Sequence, residues 1–175
     1  MNSQEISILV VTDPADVPGW IGMMREYLKF GIARHEEATG QKIDLESQIQ
    51  KTVANVGEFL GPNGRFVVAQ RLNGDLLGMV LLNRLANRKG EVTRLFVRPE
   101  ARRLGLAKLL VDELQSEGHK MGLSALYLDT NSGLREAITF YKTIGFTEVS
   151  FDPSSAQDPE IAKFQVFMEK PLYLA

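Results

Sequence analysis

The sequence predicts a mixed α/β fold, a twisted central sheet with helices on both faces. Three observations carry that expectation. Between Arg65 and Val97, short β-type runs are separated by turn residues at Asn73-Gly74 and Asn87–Gly90, the pattern of consecutive hairpin strands. After Pro99 the apolar period becomes helical, with leucines at 106, 109, 110 and 114. From there strand-like and helix-like segments alternate, so crossover connections join a sheet that hairpins began.

Each element has its own local reason. Ile6 to Thr12, ISILVVT, is a short apolar run rich in β-branched residues and reads as a strand. DPADVPGW breaks it; Val17, Ile21, Met24, Leu28 and Ile32 then recur at helical spacing. Leu45, Ile49, Val53, Val56 and Leu60 mark a second helix, stopped by Gly61 to Gly64. Arg65–Leu72 and Leu76–Leu85 flank Asn73-Gly74, which predicts a type I′ turn with both central residues at positive φ. Glu91–Val97 is the next strand, and Pro99 ends it. From Arg103, Leu106, Leu109, Leu110 and Leu114 share one helical face, and Gly118–Gly122 closes that helix. Ser124–Thr130 is a strand. Leu134, Ala137, Ile138 and Tyr141 stripe a helix ended by Gly145. Phe146–Ser150 and Lys163–Lys170 are the last strands, with a loop between them. The expected order is β-α-α-β-β-β-α-β-α-β-β. No repeat, low-complexity tract or linker divides the chain, so a single domain over 1–175 is expected.

Composition narrows the function. Lys plus Arg number 20 and Asp plus Glu 22, so the net charge is −2. A general nucleic-acid binder carries a net basic surface, and the arginines at 94, 98, 102 and 103 have only Phe96 interleaved, so no nucleic-acid partner is expected. Any anion recognition should be local. The chain has no cysteine, which excludes a disulfide, a thiolate nucleophile and a Cys-ligated metal. His35 and His119 lack metal-ligand spacing; both are expected at the surface and no metal is expected. The N-terminus MNSQEISILVV has no basic n-region, and no window approaches the ~18 apolar residues of a spanning helix. A cytoplasmic protein without a membrane partner is the expectation.

The stretch RPEARRLGLAKLL, Arg98 to Leu110, sets arginines against a glycine where a strand turns into a helix. A helix start presents unpaired N–H groups and the positive end of the helix dipole, a ready anion site. Gly105 lets a phosphate approach the backbone, and Arg102, Arg103 and Lys108 add charge. The alternative is a plain turn with solvated arginines. Neither G-x-x-x-x-G-K-[ST] nor a G-x-G-x-x-G after the first strand is present, so Walker and Rossmann phosphate loops are excluded.

Two motifs together resemble a known family. Val97-Arg98-Pro99 leads into Arg102-x-x-Gly105-x-Ala107, and downstream stand Asn131, Ala137, Tyr141, Gly145 and Phe146 in register. This pattern is similar to the acetyl-CoA and following motifs of the GNAT superfamily of N-acetyltransferases, from about Arg65 to Phe146. Arg103 and Ala107 stand where many relatives have glycine.

The resemblance implies a GNAT-type acyl-CoA N-acyltransferase fold and a reaction in which acetyl-CoA directly acetylates a primary amine of a small molecule. The alternatives are a protein N-terminal or lysine acetyltransferase and a non-catalytic acyl-CoA-binding module. It implies that the backbone of Leu95, Phe96 and Val97 pairs with the pantetheine arm. The N–H groups of Arg103, Leu104, Gly105, Leu106, Ala107 and Lys108 then hold the pyrophosphate beside Arg102. It places Tyr141 at the departing sulfur, against the alternative of a core residue. Asn131 becomes a cofactor contact, or else a helix N-cap. Glu91 becomes the catalytic base, sharing a face with Thr93, Leu95 and Val97 by strand alternation. Its alternatives are an edge carboxylate at a turn, or deprotonation relayed by water with no single base. Glu26, Tyr27, Glu36 and Glu37, with Asp152, Asp158 and Glu160, are expected to wall the acceptor side, where carboxylates would suit a cationic amine. A homodimer is compatible with the resemblance, though nothing in the sequence shows one.

Overall fold

The computed structural model describes residues 5–155 and 162–173. The elements are β1 (Ile6–Val10), α1 (Trp20–Thr39), α2 (Leu45–Ala54), β2 (Gly64–Arg71), β3 (Leu76–Arg84), β4 (Lys89–Val97), α3 (Leu106–Lys120), β5 (Ala125–Asn131), α4 (Arg135–Thr143), β6 (Thr147–Val149) and β7 (Gln165–Pro171). They form a seven-stranded sheet in the order β1-β2-β3-β4-β5-β7-β6. The first four strands pair antiparallel, β4 and β5 pair parallel, and β7 returns antiparallel between β5 and β6. The predicted element order is the observed one.

Strand alternation sorts the core into two layers. On one face, Val67, Ala69, Val80, Leu82, Val92, Leu126 and Leu128 meet Leu106, Leu110, Val111 and Leu114 of α3. Tyr141 and Ile144, at the end of α4, pack on the same layer. On the other face, Phe66, Val68, Met79 and Leu81 meet Trp20, Met23 and Met24 of α1 and Ile49 of α2. Leu109 does not belong to the buried face of α3; it is 47% exposed, and Val111 takes the core position instead. At 100° per residue, Leu106, Leu110 and Leu114 set the stripe, and Leu109 falls off its edge. Among the described residues, no helix is long and apolar enough to cross a membrane.

Three other local expectations are corrected. The Asn73-Gly74 turn is not type I′, because only Gly74 has positive φ, at 92°. Gly74 N–H donates to the Arg71 carbonyl, and Arg71 N–H to the Asp75 carbonyl, each at 2.9 Å. That is a three-residue loop, a type I turn closed by a glycine bulge. The Asn73 carboxamide holds it, accepting from Asp75 N–H at 3.1 Å. The second helix stops at Ala54, where Asn55 caps it, and Val56–Phe59 continues as a 3₁₀ turn. Helix α3 starts at Leu106; Arg103 lies in the turn before it at φ 67°.

Candidate active site

Strands β4 and β5 are paired only at Lys89–Ala125, Gly90–Leu126 and Glu91–Tyr127. Beyond Glu91 they part. The cause lies in β4, where Met79 of β3 faces Phe96 but Leu81 faces Thr93, so β4 holds one extra residue. Arg94 absorbs it at φ 53°. Such a bulge bends its strand and sharpens the twist, opening a gap in mid-sheet.

The bulge also reverses the phase of β4. Val92, Leu95 and Val97 all pack on the α3 layer, whereas Phe96 packs on the α1 layer. Thr93 is paired with Leu81 of the α1 layer, and Glu91 lies on that same face. Glu91 therefore shares its face with Thr93 and Phe96, not with Leu95 and Val97. One inserted residue exchanges the faces of everything after it.

Backbone polarity follows from the ladder. Arg98 N–H donates to the Leu77 carbonyl at 2.9 Å. Alternation then turns the Val97 N–H and C=O away from β3 and toward the gap. Phe96 is turned the other way, and its carbonyl lies 2.9 Å from where a Cβ on Gly78 would sit. Of the two, Val97 turns its backbone groups toward the gap, where its C=O also meets Arg102; those of Phe96 are committed to β3.

At the end of β4, Pro99–Ala101 makes a 3₁₀ turn anchored by buried Ala101. Arg103 and Gly105, at φ 67° and 75°, then swing the chain into α3. Leu109 N–H reaches the Gly105 carbonyl at 3.2 Å. The N–H groups of Leu106, Ala107 and Lys108 lie ahead of that first intrahelical bond. No atom lies within 4 Å of the Cβ position of Gly105, so the space above the turn is open. Arg102 is exposed; its Nε donates to the Val97 carbonyl at 3.4 Å. Lys108 is exposed and pairs with Asp112 at 2.6 Å. A phosphate fits this turn, with backbone donors, the helix dipole and three flanking cations.

Tyr141 reaches the gap from the α3 side. Its ring stands edge-on to Phe146 with centroids 5.6 Å apart. Burial raises the pKa of its hydroxyl, and Tyr27 and Asp129 raise it further. Tyr27 belongs to α1, across the sheet, and its ring stands edge-on to Phe96. Burial raises its hydroxyl as well, Arg94 opposes this, and Asp129 adds to it. Two tyrosines on opposite faces of a sheet sense each other because the strands between them have parted.

Glu91 sits at the base of the gap, 6% exposed, and is not an edge carboxylate. Ser155 Oγ donates to its Oε1. Ser155 belongs to the loop after β6, and that loop is tied down by Asp152. The Asp152 carboxylate accepts from Asn87 Nδ2 at 2.6 Å and from Ser154 Oγ at 2.7 Å. It also accepts from Ser154 N–H at 3.0 Å and pairs with Lys89 at 3.3 Å. Burial pushes this carboxyl up, but the Ser154, Asn87 and Lys89 bonds outweigh it and hold it at about 2. The Asp152 N–H donates to the Tyr127 hydroxyl at 3.0 Å. Burial pushes that phenol up to about 12.

The structure thus brings Val97, the turn of Arg102 to Lys108, Tyr141 and Glu91 around one gap. Leu95 lies in the bulge with its side chain on the α3 layer. Leu104 is 55% exposed beside the turn. Asn131 ends β5 and is not the N-cap of α4, which is Leu134; its Oδ1 accepts from Gly133 N–H at 2.8 Å. The acidic wall is largely committed to other work. Glu26 forms a two-pronged pair with Arg98 at 2.8 and 3.1 Å, and Glu36 accepts from Ile43 N–H at 3.1 Å. Asp158 and Glu160 lie outside the described residues. Arg94 stacks over Phe59, its guanidinium carbon 5.2 Å from the ring centre. His119 is exposed, while His35 is half-buried in a groove of about 240 Å³ that Tyr27, Leu28, Gly31, Ile32, Ile43 and Gln48 also line. Among the described residues, no group of three or more His, Cys, Asp or Glu could hold a metal ion.

Sequence reasoning missed Asp129 and Ser155. Asp129 was detectable, since it alternates with Leu126 and Leu128 and must face away from the α3 layer. Nothing local marks Ser155, whose partner is 64 residues away.

A parted parallel strand pair, with a helix start at its mouth, defines a site for an acyl-CoA-dependent acyltransferase. The comparisons agree. The sequence pattern of the acetyltransferase (GNAT) family matches residues 22–146. A Schizosaccharomyces pombe protein described as an uncharacterized N-acetyltransferase is 36% identical over 149 residues, 83% of this chain and 85% of that one. The IAA acetyltransferase of Azospirillum brasilense is 34% identical over 112 residues, 63% of this chain and 70% of that one. The crystal structure of PaiA N-acetyltransferase from Thermoplasma acidophilum, in complex with coenzyme A, superposes with a TM-score of 0.68. It is 22% identical, over 96% of this chain and 99% of that one. The chain belongs to the GNAT family of acetyltransferases.

Proposed function

We propose that the chain transfers the acetyl group of acetyl-CoA directly to a primary amine of a small molecule. The observation that carries this reading is the gap itself. It is open to the Val97 backbone, headed by the Arg103–Lys108 turn, and flanked by Tyr141 and Glu91.

The N–H groups from Arg103 to Lys108 would hold the pyrophosphate, and Arg102 and Lys108 would add charge. The Val97 N–H and C=O, with Leu95, would align the pantetheine arm as an added strand does. Asn131 stands at the far rim. Acetyl-CoA bound there supplies an acetyl thioester to the incoming amine. The Val97 N–H is then a donor for the thioester oxygen as negative charge develops on it.

Tyr141 acts at the departing sulfur by hydrogen bonding. A thiol ionises near ~8.5 and a phenol near ~10. Burial raises the Tyr141 hydroxyl further, so it keeps its proton and stabilises a thiolate as a donor. Glu91 removes the proton of the attacking amine, directly or through one water. With no cysteine in the chain, direct transfer asks for no covalent enzyme intermediate.

The groove between α1 and α2 supports a small acceptor. It shares Tyr27 with the gap, and its wall of Leu28, Ile32 and Ile43 suits an amine with an apolar body better than a polycation. A panel of small primary amines, peptide N-termini and lysine peptides, read by acetyl-CoA-dependent thiol release, tests this. Turnover confined to peptides would move the acceptor to proteins. Saturable acetyl-CoA binding without turnover on any amine would leave a binding module.

A further inference from the structure

A loop 64 residues away in sequence is firmly fastened beside Glu91. The loop from Phe151 to Ser155 has one polar centre, Asp152. Its side chain is 11% exposed and makes four contacts with Asn87, Lys89 and Ser154. Its N–H is held by Tyr127 at 3.0 Å, and its carbonyl accepts from Ser155 N–H at 2.9 Å. Both ends of this arrangement rest on the sheet. Lys89 is two residues before Glu91 on β4, Tyr127 is the β5 residue paired with Glu91, and Ser155 Oγ closes the ring on Glu91 itself. The hydrogen-bonded turn Asp152–Ser155 follows Phe151, which packs on Phe167, and is anchored on the buried Tyr127 hydroxyl. It delivers a hydroxyl to one carboxylate.

We propose that Asp152 is a positioning residue for the acyl transfer: it folds the loop after β6 into a turn that seats the Ser155 hydroxyl on Glu91 and fixes the direction in which that carboxylate faces the gap. The proposal rests on the reading of Glu91 as the base. A donor seated on Oε1 restricts the rotation of the carboxylate and so fixes the plane it presents. Held in one rotamer, a base avoids the loss that a small misplacement brings.

Five variants of the full chain, assayed for steady-state acetyl transfer, decide it. Asp152→Ala lowers kcat by about 10-fold while KM for acetyl-CoA changes less than about twofold, because the turn lies away from the pyrophosphate site. Ser155→Ala removes only the hydroxyl and gives the same fall, which carries the test if Asp152→Ala does not fold. Asp152→Asn keeps an acceptor for Ser154 and recovers most of the lost rate. In a Glu91→Gln background, Asp152→Ala causes no further loss, since a residue that acts through Glu91 has nothing left to position. Losses that multiply in the double variant overturn the proposal, as does a full rate in Asp152→Ala or Ser155→Ala. A full rate in Glu91→Gln overturns it together with the assignment of the base, and leaves acetyl-CoA binding untouched.

Discussion

Tyr27 and Tyr141 sit on opposite faces of the sheet, each half-buried, with a hydroxyl whose ionisation is suppressed; Tyr27 adds directly to the suppression at Tyr141. A continuous strand pair would separate them. The bulge at Arg94 removes that barrier, and the same gap admits the Val97 backbone to the centre of the molecule. Acceptor-side and cofactor-side groups meet through it.

Tyr141→Phe removes the donor at the sulfur and leaves the ring packing on Phe146. A hydrogen bond to a developing charge contributes roughly 1.5–3 kcal/mol, so kcat should fall about 10- to 100-fold, with KM for acetyl-CoA little changed. In the wild type, this hydroxyl should cause no alkaline fall in rate below about pH 10, because its pKa is raised from that ordinary value. Steady-state rates across pH check both.

The Tyr127 phenol, held at about 12, binds its proton more tightly in the folded chain than in the unfolded one. Its contribution to stability is whole below about pH 10 and is lost as pH rises toward about 12. Tyr127→Phe should flatten that alkaline loss in chemical denaturation. It should also lower stability at neutral pH, because the Asp152 N–H loses its acceptor.

Asp152 runs in the opposite sense. Its folded pKa of about 2 is depressed, so its contribution is present above the unfolded value near ~3.9 and fades as pH falls through about 2. Asp152→Asn should be less stable at pH 6 and should lose less on acidification to pH 2. Denaturation midpoints at the two pH values measure this.

Two glycines should respond differently to alanine. At Gly78 a Cβ meets the Phe96 carbonyl at 2.9 Å and Leu110 at 3.1 Å, where α3 lies close on the sheet. Gly78→Ala should cost roughly 1–3 kcal/mol of stability. At Gly105 a Cβ meets nothing, and only the left-handed φ of 75° resists it, at about 1–2 kcal/mol. Thermal unfolding of the pair separates packing from conformation.

The sequence made the element order legible because hairpin turns, Pro99 and the change of period each act within a few residues. The turn before α3 was legible for the same reason, through Arg102, Gly105 and the helix that follows. The bulge was not. Glycine is the usual sign of a left-handed position, but Arg94 and Arg103 occupy such positions here with full side chains. Missing that one residue inverted the reading of Leu95 and Val97 relative to Glu91. The Asp152 centre was equally hidden, since Asn87 and Tyr127 lie 65 and 25 residues from it. Contacts of that range are set by the sheet order, which local patterns do not encode.

The most direct measurement is the thermal unfolding midpoint against acetyl-CoA concentration, in the wild type and in Gly105→Glu, with ATP as a control. A ligand at about 100 times its Kd adds roughly 2.7 kcal/mol to stability. A saturable rise with acetyl-CoA that Gly105→Glu weakens is the predicted result. No rise at millimolar acetyl-CoA, or a rise that Gly105→Glu leaves intact, would contradict the assignment of the α3 turn as the acetyl-CoA site.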